Sequence, residues 1–170
     1  RVSAPLASGT NTLKNEYYFS CDDDLLYSAG YFSEHIKALE MYNNAIFVTS
    51  HGKIMPQHPA SAAGWLIAYP CLRNQAKDAW INNPGTGAMA FDNSRFTIPH
   101  ETFKYHNMAD LTVGSFLQQN KIPVLCRKHQ ADELQYLPQK NTIWHQRKKL
   151  HPLHMEVINE IPEWQLYKPI

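Results

Sequence analysis

Three consecutive carboxylates, Asp22, Asp23 and Asp24, are the residues whose type and spacing point most directly to chemistry. They follow an apolar, aromatic-rich run, residues 16–21, that is typical of a buried β-strand. In an extended segment alternate side chains share a face, so we expect Asp22 and Asp24 to point one way and Asp23 another. Two convergent carboxylates suit Mg²⁺ or Mn²⁺, with substrate phosphates as further ligands. Acids after a strand also occur as turn or cap residues, which is the alternative interpretation.

Two other segments carry residues with chemical potential. His51 follows a second predicted strand, residues 45–49, although a histidine in a loop is more often only solvated. Gly85, Thr86 and Gly87 precede a short apolar strand, where two glycines allow either close approach of a ligand or a tight turn. This glycine segment matches neither the Walker pattern nor the Gly-x-Gly-x-x-Gly fingerprint.

Asp110 falls in the first turn of a helix predicted over residues 108–120. A carboxylate there can act as a general base if an acceptor hydroxyl lies within reach. The helix dipole also favours an acid at this position, whatever the function. Both interpretations stay open at the level of sequence.

The elements that must position these residues follow from hydrophobic periodicity. Residues 31–42 place Phe32, Ile36 and Leu39 at helical spacing between the two predicted strands. A strand, helix, strand order predicts neighbouring parallel strands joined by a right-handed crossover. Residues 54–80 are rich in proline, glycine and small side chains, and we expect an irregular excursion there.

A further short strand is predicted at residues 122–126, where Pro123 indicates a sheet edge or the start of the strand. The fold class is therefore α/β, with a mixed but mostly parallel sheet flanked by helices. Open α/β sheets bind ligands at the carboxyl ends of their strands, where the acids and His51 would lie. We expect one domain over residues 1–170, with a core at 16–126 and a C-terminal extension at 127–170.

Composition narrows the possible partners. The chain has 170 residues, 44% hydrophobic and 18% charged, with a formal net charge of +1, so no strong positive field indicates nucleic acid as a partner. Three widely spaced cysteines favour a reducing compartment over a disulfide framework. No run of about 20 apolar residues predicts a transmembrane segment. We expect a soluble, cytoplasmic protein, with peripheral attachment to a membrane left open.

Taken together, the ordered segments resemble a metal-dependent glycosyltransferase of the GT-A type. They are similar to the bacterial family-2-like enzymes that build surface polysaccharides. The segments that carry this resemblance are residues 17–27, 50–52, 85–91, 108–110 and 122–124. The resemblance implies a GT-A-like, Rossmann-like fold. Relatives carry a much longer region before the acids than the 21 residues here, so we expect either a domain truncated at its N-terminus or a reduced form of the fold.

The resemblance also implies roles for particular residues. Asp22 and Asp24 would hold Mn²⁺ or Mg²⁺ against the diphosphate of a nucleotide-sugar donor, and Asp23 would reach the ribose or the sugar. Asp110 would be the catalytic base of an inverting transfer to a carbohydrate or lipid-linked glycan acceptor. The family usually has a Glu-Asp pair at that point, whereas this chain has Ala109 before Asp110, so the match is partial.

Further residues follow from the same resemblance. The glycine segment, Gly85, Thr86 and Gly87, would lie beside donor and acceptor, with His51 on the donor side. His145 is the preferred candidate for the C-terminal histidine that some relatives use as an additional metal ligand.

Two rival functions remain. A metal-dependent phosphodiesterase could use the same acids with His51 or His106, although a nuclease would be expected to carry a broader basic face. A truncated, noncatalytic domain that binds carbohydrate or a partner protein would suit the aromatic content of 12% equally well.

Overall fold

The computed structural model describes residues 16–137 and 151–169. This part of the chain forms three α-helices, one short 3₁₀ helix (His100–Thr102) and ten short strands. The helices are α1 (Tyr31–Met41), α2 (Ala109–Gln119) and α3 (His151–Asn159). The strands are β1 (Tyr17–Cys21), β2 (Leu25–Tyr27), β3 (Phe47–Thr49), β4 (Gly52–Ile54), β5 (Ile67–Tyr69), β6 (Ala79–Ile81), β7 (Asn83–Pro84), β8 (Ala88–Asp92), β9 (Val124–Cys126) and β10 (Leu134–Tyr136).

The main sheet has five strands in the order β1-β8-β3-β9-β6. The predicted α/β class and mixed sheet are confirmed, but the expectation of a mostly parallel sheet is wrong. Only β3 and β9 pair in parallel, while the other three pairings are antiparallel. The prediction that β1 and β3 are neighbours in the sheet is also wrong. The two strands run in the same direction, but β8 lies between them and pairs antiparallel with both.

Helices α1 and α2 cover opposite faces of this sheet because strand residues alternate between the two faces. Leu39 of α1 packs with Val48 and Ala90. Val113 of α2 instead packs with Phe47 and Met89, the neighbours of those strand residues. The main sheet is therefore a layer between two helices.

The buried face of α1 differs from the predicted one. Tyr31, His35 and Leu39, spaced at i, i+4 and i+8, are fully buried, whereas Phe32 is 44% exposed. The His35 imidazole thus occupies a core position for which the pattern of apolar residues gives no signal. Its burial is possible because its ring nitrogens have the polar partners Arg127 and Ser50.

The C-terminal helix α3 packs against α2. Val157, Ile158 and Trp164 are buried together with Met108 and Leu111 at the start of α2. The excursion at residues 54–80 is partly ordered, since β5 lies within it and pairs with β4. Among the described helices, none has the length and apolar character needed to cross a membrane.

Candidate functional site

Three strands of the main sheet end at the same edge. Strands β1 and β3 are both antiparallel to β8, and β3 is parallel to β9, so all three point in one direction. Their carboxyl ends lead directly into Asp22, Ser50 and Arg127. The edge therefore gathers polar residues that are far apart in sequence, as the fold class predicts.

The segment Gly85, Thr86 and Gly87, hereafter the glycine loop, contacts Asp22 at this edge. The Asp22 backbone N–H donates to the Gly87 carbonyl at 3.2 Å. A Cβ at Gly87 would overlap the Asp22 carboxylate, so only glycine allows this approach. The Tyr27 hydroxyl bridges the two segments, since it accepts from the Asp22 N–H at 2.7 Å and donates to the Gly87 carbonyl at 2.5 Å.

Asp110 binds the same loop from the first turn of α2. Its Oδ1 accepts from the backbone N–H of Thr86 at 2.8 Å and from the Thr86 hydroxyl at 2.8 Å. Oδ2 takes no part in these two bonds. The glycine loop thus joins Asp22 and Asp110, which are 88 positions apart in the sequence.

The acids at this edge repel one another. Burial raises the pKa of Asp22, and the negative charges of Asp110, Asp24 and Asp23 raise it further, in that order of importance. Asp110 therefore affects Asp22 more strongly than its near neighbour Asp24 does. We call Asp22, Asp24 and Asp110 the acidic cluster.

The local geometry of the triplet differs from the expected one. Asp23 and Asp24 lie in a turn and not in an extended segment, so the alternation that was to aim Asp22 and Asp24 in one direction does not apply. The turn interpretation of the triplet is correct for the backbone. Of the neighbouring charges, that of Asp110 on α2 has the largest effect on the pKa of Asp22.

His51 packs against the other end of the glycine loop. Gly85 donates its N–H to the His51 carbonyl at 2.8 Å, and a Cβ at Gly85 would overlap the imidazole ring. Burial lowers the pKa of His51, whereas the Asp110 charge acts in the opposite direction. Within the described residues, the buried Nδ1 of His51 has no hydrogen-bond partner. His51 is therefore a partly buried residue that packs directly against the glycine loop.

A divalent cation would fit the charge of this edge. The mutual effect of the carboxylates on the Asp22 pKa indicates negative charge without full compensation, and carboxylate oxygens are the ligands that Mg²⁺ and Mn²⁺ prefer. Residues 16–137 and 151–169 contain no group of three or more His, Cys, Asp or Glu side chains arranged around one ion. Substrate phosphates would thus have to complete the coordination, as is common for Mg²⁺. His145, the predicted additional ligand, lies outside the described residues.

A second polar cluster at this edge was not predicted from the sequence. Arg127, at the end of β9, donates from Nε to His35 Nδ1 at 3.1 Å and forms an ion pair with Glu133. The hydroxyl of Ser50 lies 3.4 Å from His35 Nε2. We call Arg127, His35, Glu133 and Ser50 the arginine cluster. The sequence feature that could have indicated this cluster is Arg127, which directly follows a buried strand, as Asp22 does.

The arginine cluster is buried and electrically paired. Arg127 is 5% exposed and His35 is not exposed at all. Burial lowers the pKa of His35 to about 3, and the neighbouring Arg127 charge contributes in the same direction. His35 is therefore neutral at physiological pH and acts as a hydrogen-bonding spacer between α1 and β9.

No protein-family model matches this chain, and no curated protein is significantly similar to it. We therefore infer a function from the geometry of this edge.

Proposed function

We propose that this chain is a metal-dependent glycosyltransferase that moves a sugar from a nucleotide-sugar donor to an acceptor hydroxyl. The observation that carries the proposal is the convergence of Asp22, the glycine loop and Asp110 at the carboxyl ends of β1 and β3. Phosphate-bearing substrates in α/β proteins commonly bind at such an edge. The GT-A type is part of this proposal, because the sheet order is compatible with a mixed α/β domain but does not by itself define that family.

In this proposal the residues divide into a donor side and a base. Asp22 and Asp24 hold the divalent cation, Asp23 contacts the donor, and His51 supports the glycine loop beside it. A bound cation stabilises the negative charge that develops on the leaving diphosphate. The absence of side chains at Gly85 and Gly87 lets the His51 ring and the Asp22 carboxylate lie directly against the backbone of the loop.

In this proposal the transfer step is an inverting displacement at the anomeric carbon of the donor sugar. The acceptor oxygen forms a bond to the anomeric carbon while the bond from that carbon to the diphosphate oxygen breaks, and the nucleoside diphosphate leaves with the electron pair. Oδ2 of Asp110 takes the hydroxyl proton, because Oδ1 already accepts two bonds from Thr86. Removal of a proton by a well-placed base contributes about two to four powers of ten in rate.

Calorimetric titration tests the donor side. We expect the protein to bind a nucleoside diphosphate from a panel of uridine, guanosine, cytidine and thymidine diphosphates in the presence of Mn²⁺, and to lose that binding when EDTA removes the metal. Asp24→Ala should abolish the metal-dependent heat. Asp132→Ala is the matched control, because Asp132 is an exposed acid outside the acidic cluster.

The proposal fails if no diphosphate binds with Mn²⁺, or if Asp24→Ala binds as well as the unaltered protein. Cleavage of a model phosphodiester, bis(p-nitrophenyl) phosphate, with loss of activity in Asp24→Ala would instead favour the phosphodiesterase.

A further inference from the structure

An aromatic cleft lies on one face of the β1–β8 ladder, beside the glycine loop. In this ladder Tyr18 pairs with Phe91, and Ser20 pairs with Met89. Because side chains alternate, these four residues share one face, while Tyr17 and Phe19 pack on the opposite face near α1. The register of two strands therefore determines which side chains form this side of the cleft.

The other side is formed by α2 and by the segment that precedes it. Ala109 and Val113 of α2 line the cleft together with Thr97, Ile98 and Phe103. The enclosed volume is about 200 Å³. Buried Met89, Phe91 and Val113 form its base, whereas Tyr18 and Phe103 are 50% and 48% exposed and stand at its rim.

Contacts within the protein hold the Tyr18 side chain and the Phe103 backbone at the rim. The ring of Tyr18 packs on Phe91, with the ring centroids 5.0 Å apart. The Phe103 N–H donates to the His100 carbonyl at 3.1 Å and so ends the 3₁₀ helix. The half-exposed ring of Tyr18, packed on Phe91, thus offers a preformed stacking surface, because little conformational entropy is lost when it binds a ligand.

The cleft also has polar residues in its lining. One is Thr86 of the glycine loop, whose hydroxyl and backbone N–H both bind Asp110. Asn93 and Thr97 provide amide and hydroxyl groups elsewhere along the lining. Apolar and aromatic walls with a few placed polar groups are typical of small-molecule sites, although this cleft is smaller than the usual ~300–1,000 Å³.

We infer that this cleft binds one pyranose ring of a carbohydrate acceptor, with the ring stacked against Tyr18 or Phe103 and a hydroxyl directed towards Thr86 and Asp110. The inference rests on the proposed function and adds to it the acceptor side. A sugar ring has an apolar face of C–H groups and an edge of hydroxyls, which matches aromatic walls with hydroxyl and amide groups between them. An alkyl or isoprenoid chain would match the walls but would leave these polar groups without partners.

Saturation-transfer NMR tests the inference with methyl glycosides of the common hexoses and N-acetylhexosamines. We expect at least one glycoside to receive saturation at its ring protons. Phe103→Leu and Tyr18→Leu should each weaken its affinity by about tenfold, because leucine keeps apolar area but lacks an aromatic face. Tyr136→Leu is the matched control, because Tyr136 is 45% exposed on β10 and does not line the cleft.

A parallel titration with n-hexanol separates carbohydrate from lipid. Saturation of hexanol that survives Phe103→Leu, with no glycoside binding, would overturn the inference in favour of an alkyl occupant. Equal loss of glycoside affinity in Tyr136→Leu would also overturn it, since the site would then lie elsewhere.

Calorimetry with Mn²⁺ and nucleoside diphosphates on the same preparations distinguishes the two proposals. Nucleotide binding without any glycoside binding overturns the cleft but leaves the donor site intact. Glycoside binding that depends on Phe103, without nucleotide binding, supports the cleft and counts against the transferase, as expected of a noncatalytic carbohydrate-binding domain.

Discussion

Two polar clusters lie at the same edge of the main sheet and differ in how their charges are balanced. In the arginine cluster the Arg127 guanidinium faces Glu133 and the neutral His35, and all of its nitrogens have partners. In the acidic cluster Asp22 faces other acids, and their charges raise its pKa after the effect of burial. The charges of the arginine cluster are paired with one another, whereas the carboxylates of the acidic cluster repel one another.

From this difference we infer that the arginine cluster is structural and that the acidic cluster is the candidate functional site. A buried, paired cluster fixes the position of the elements that carry it, here α1 through His35 and β9 through Arg127. Acids held close together reduce stability unless a ligand or ion compensates them, and such sites are often functional. The arginine cluster therefore fixes α1 and β9 at the edge of the sheet that also carries the acidic cluster.

Removal of Arg127 should have the largest effect. Arg127→Met leaves the Glu133 carboxylate without its partner and removes the donor to His35. Breaking a buried pair from one side costs about 3–5 kcal/mol, and we expect the lower end because the Glu133 side chain is 20% exposed. Urea denaturation measures the loss of unfolding free energy.

Lys128→Met is the control for Arg127→Met, because Lys128 is the exposed neighbour and its replacement should change stability by less than about 0.5 kcal/mol. Similar losses for the two variants would show that the arginine cluster does not support the edge.

The next effect is a dependence of stability on pH through His35. Its folded pKa is about 3, below the ordinary value of 6.5, so between these values the unfolded chain binds a proton that the folded chain does not. Stability is therefore fully present above about pH 6.5 and decreases as the pH falls. The slope from this one residue approaches about 1.4 kcal/mol per pH unit.

Urea denaturation between about pH 5 and pH 7.5 measures that slope, a range in which most carboxylates stay ionised. His35→Gln should flatten the curve, whereas His106→Gln, which alters an exposed histidine, should not. An unchanged slope in His35→Gln would contradict the assignment of a neutral buried imidazole.

Sequence patterns predicted one cluster better than the other for a physical reason. Asp22, Gly87 and Asp110 were expected to converge because each follows or precedes a recognisable strand or helix, and the convergence is confirmed by their hydrogen bonds. His35 and Arg127 are 92 positions apart, and His35 occupies a helical position where the pattern favours an apolar side chain. Such a pair is defined by tertiary contact, so neither residue shows it alone.

The errors in the predicted fold also arise where structure depends on contacts between distant segments. Helices α1 and α2 have about three turns of periodicity each and were predicted to within one or two residues of their bounds. Strands β4, β5 and β7 have two or three residues, too few for alternation to be recognised. The order of strands is set by pairing between distant segments, and β8 was therefore not foreseen between β1 and β3.

Asp22→Asn should change the free energy of unfolding by less than Arg127→Met does, and it should stabilise the protein. Because the folded pKa of Asp22 is raised, its stabilising contribution is present below the ordinary value of 3.8 and is lost as the pH rises through the raised value. At neutral pH the charged form therefore opposes folding. Asparagine removes that charge, and we expect a gain of less than about 1 kcal/mol, since solvent screens an exposed group.

Midpoints of urea denaturation at neutral pH measure this gain, with Asp132→Asn as the exposed acid whose replacement should change little. Destabilisation by Asp22→Asn would mean that the acids are already compensated, and the contrast between the two clusters would fail.

The smallest effect on stability is expected at Asp110, where three contributions nearly cancel. Asparagine keeps an oxygen that can accept from the Thr86 N–H and hydroxyl, but bonds to a neutral acceptor are weaker than those to a carboxylate. It also loses about 0.3–1 kcal/mol of interaction with the α2 dipole. Relief of repulsion with Asp22 offsets both losses. We therefore expect Asp110→Asn to change the free energy of unfolding by less than about 0.5 kcal/mol.

Asp110→Ala provides the matched comparison, because it leaves the Thr86 N–H without this acceptor and should cost about 1–3 kcal/mol. If Asp110 only anchors the glycine loop, Asn should keep transfer activity and Ala should lose it. If Asp110 is also the base, both variants should bind nucleoside diphosphate with Mn²⁺, yet kcat of Asp110→Asn should fall by about a hundredfold or more, since an amide does not take up the acceptor proton. Single-turnover transfer rates, measured beside the urea midpoints, separate the two roles, and near-normal turnover by Asp110→Asn would leave Asp110 as the residue that joins α2 to the loop.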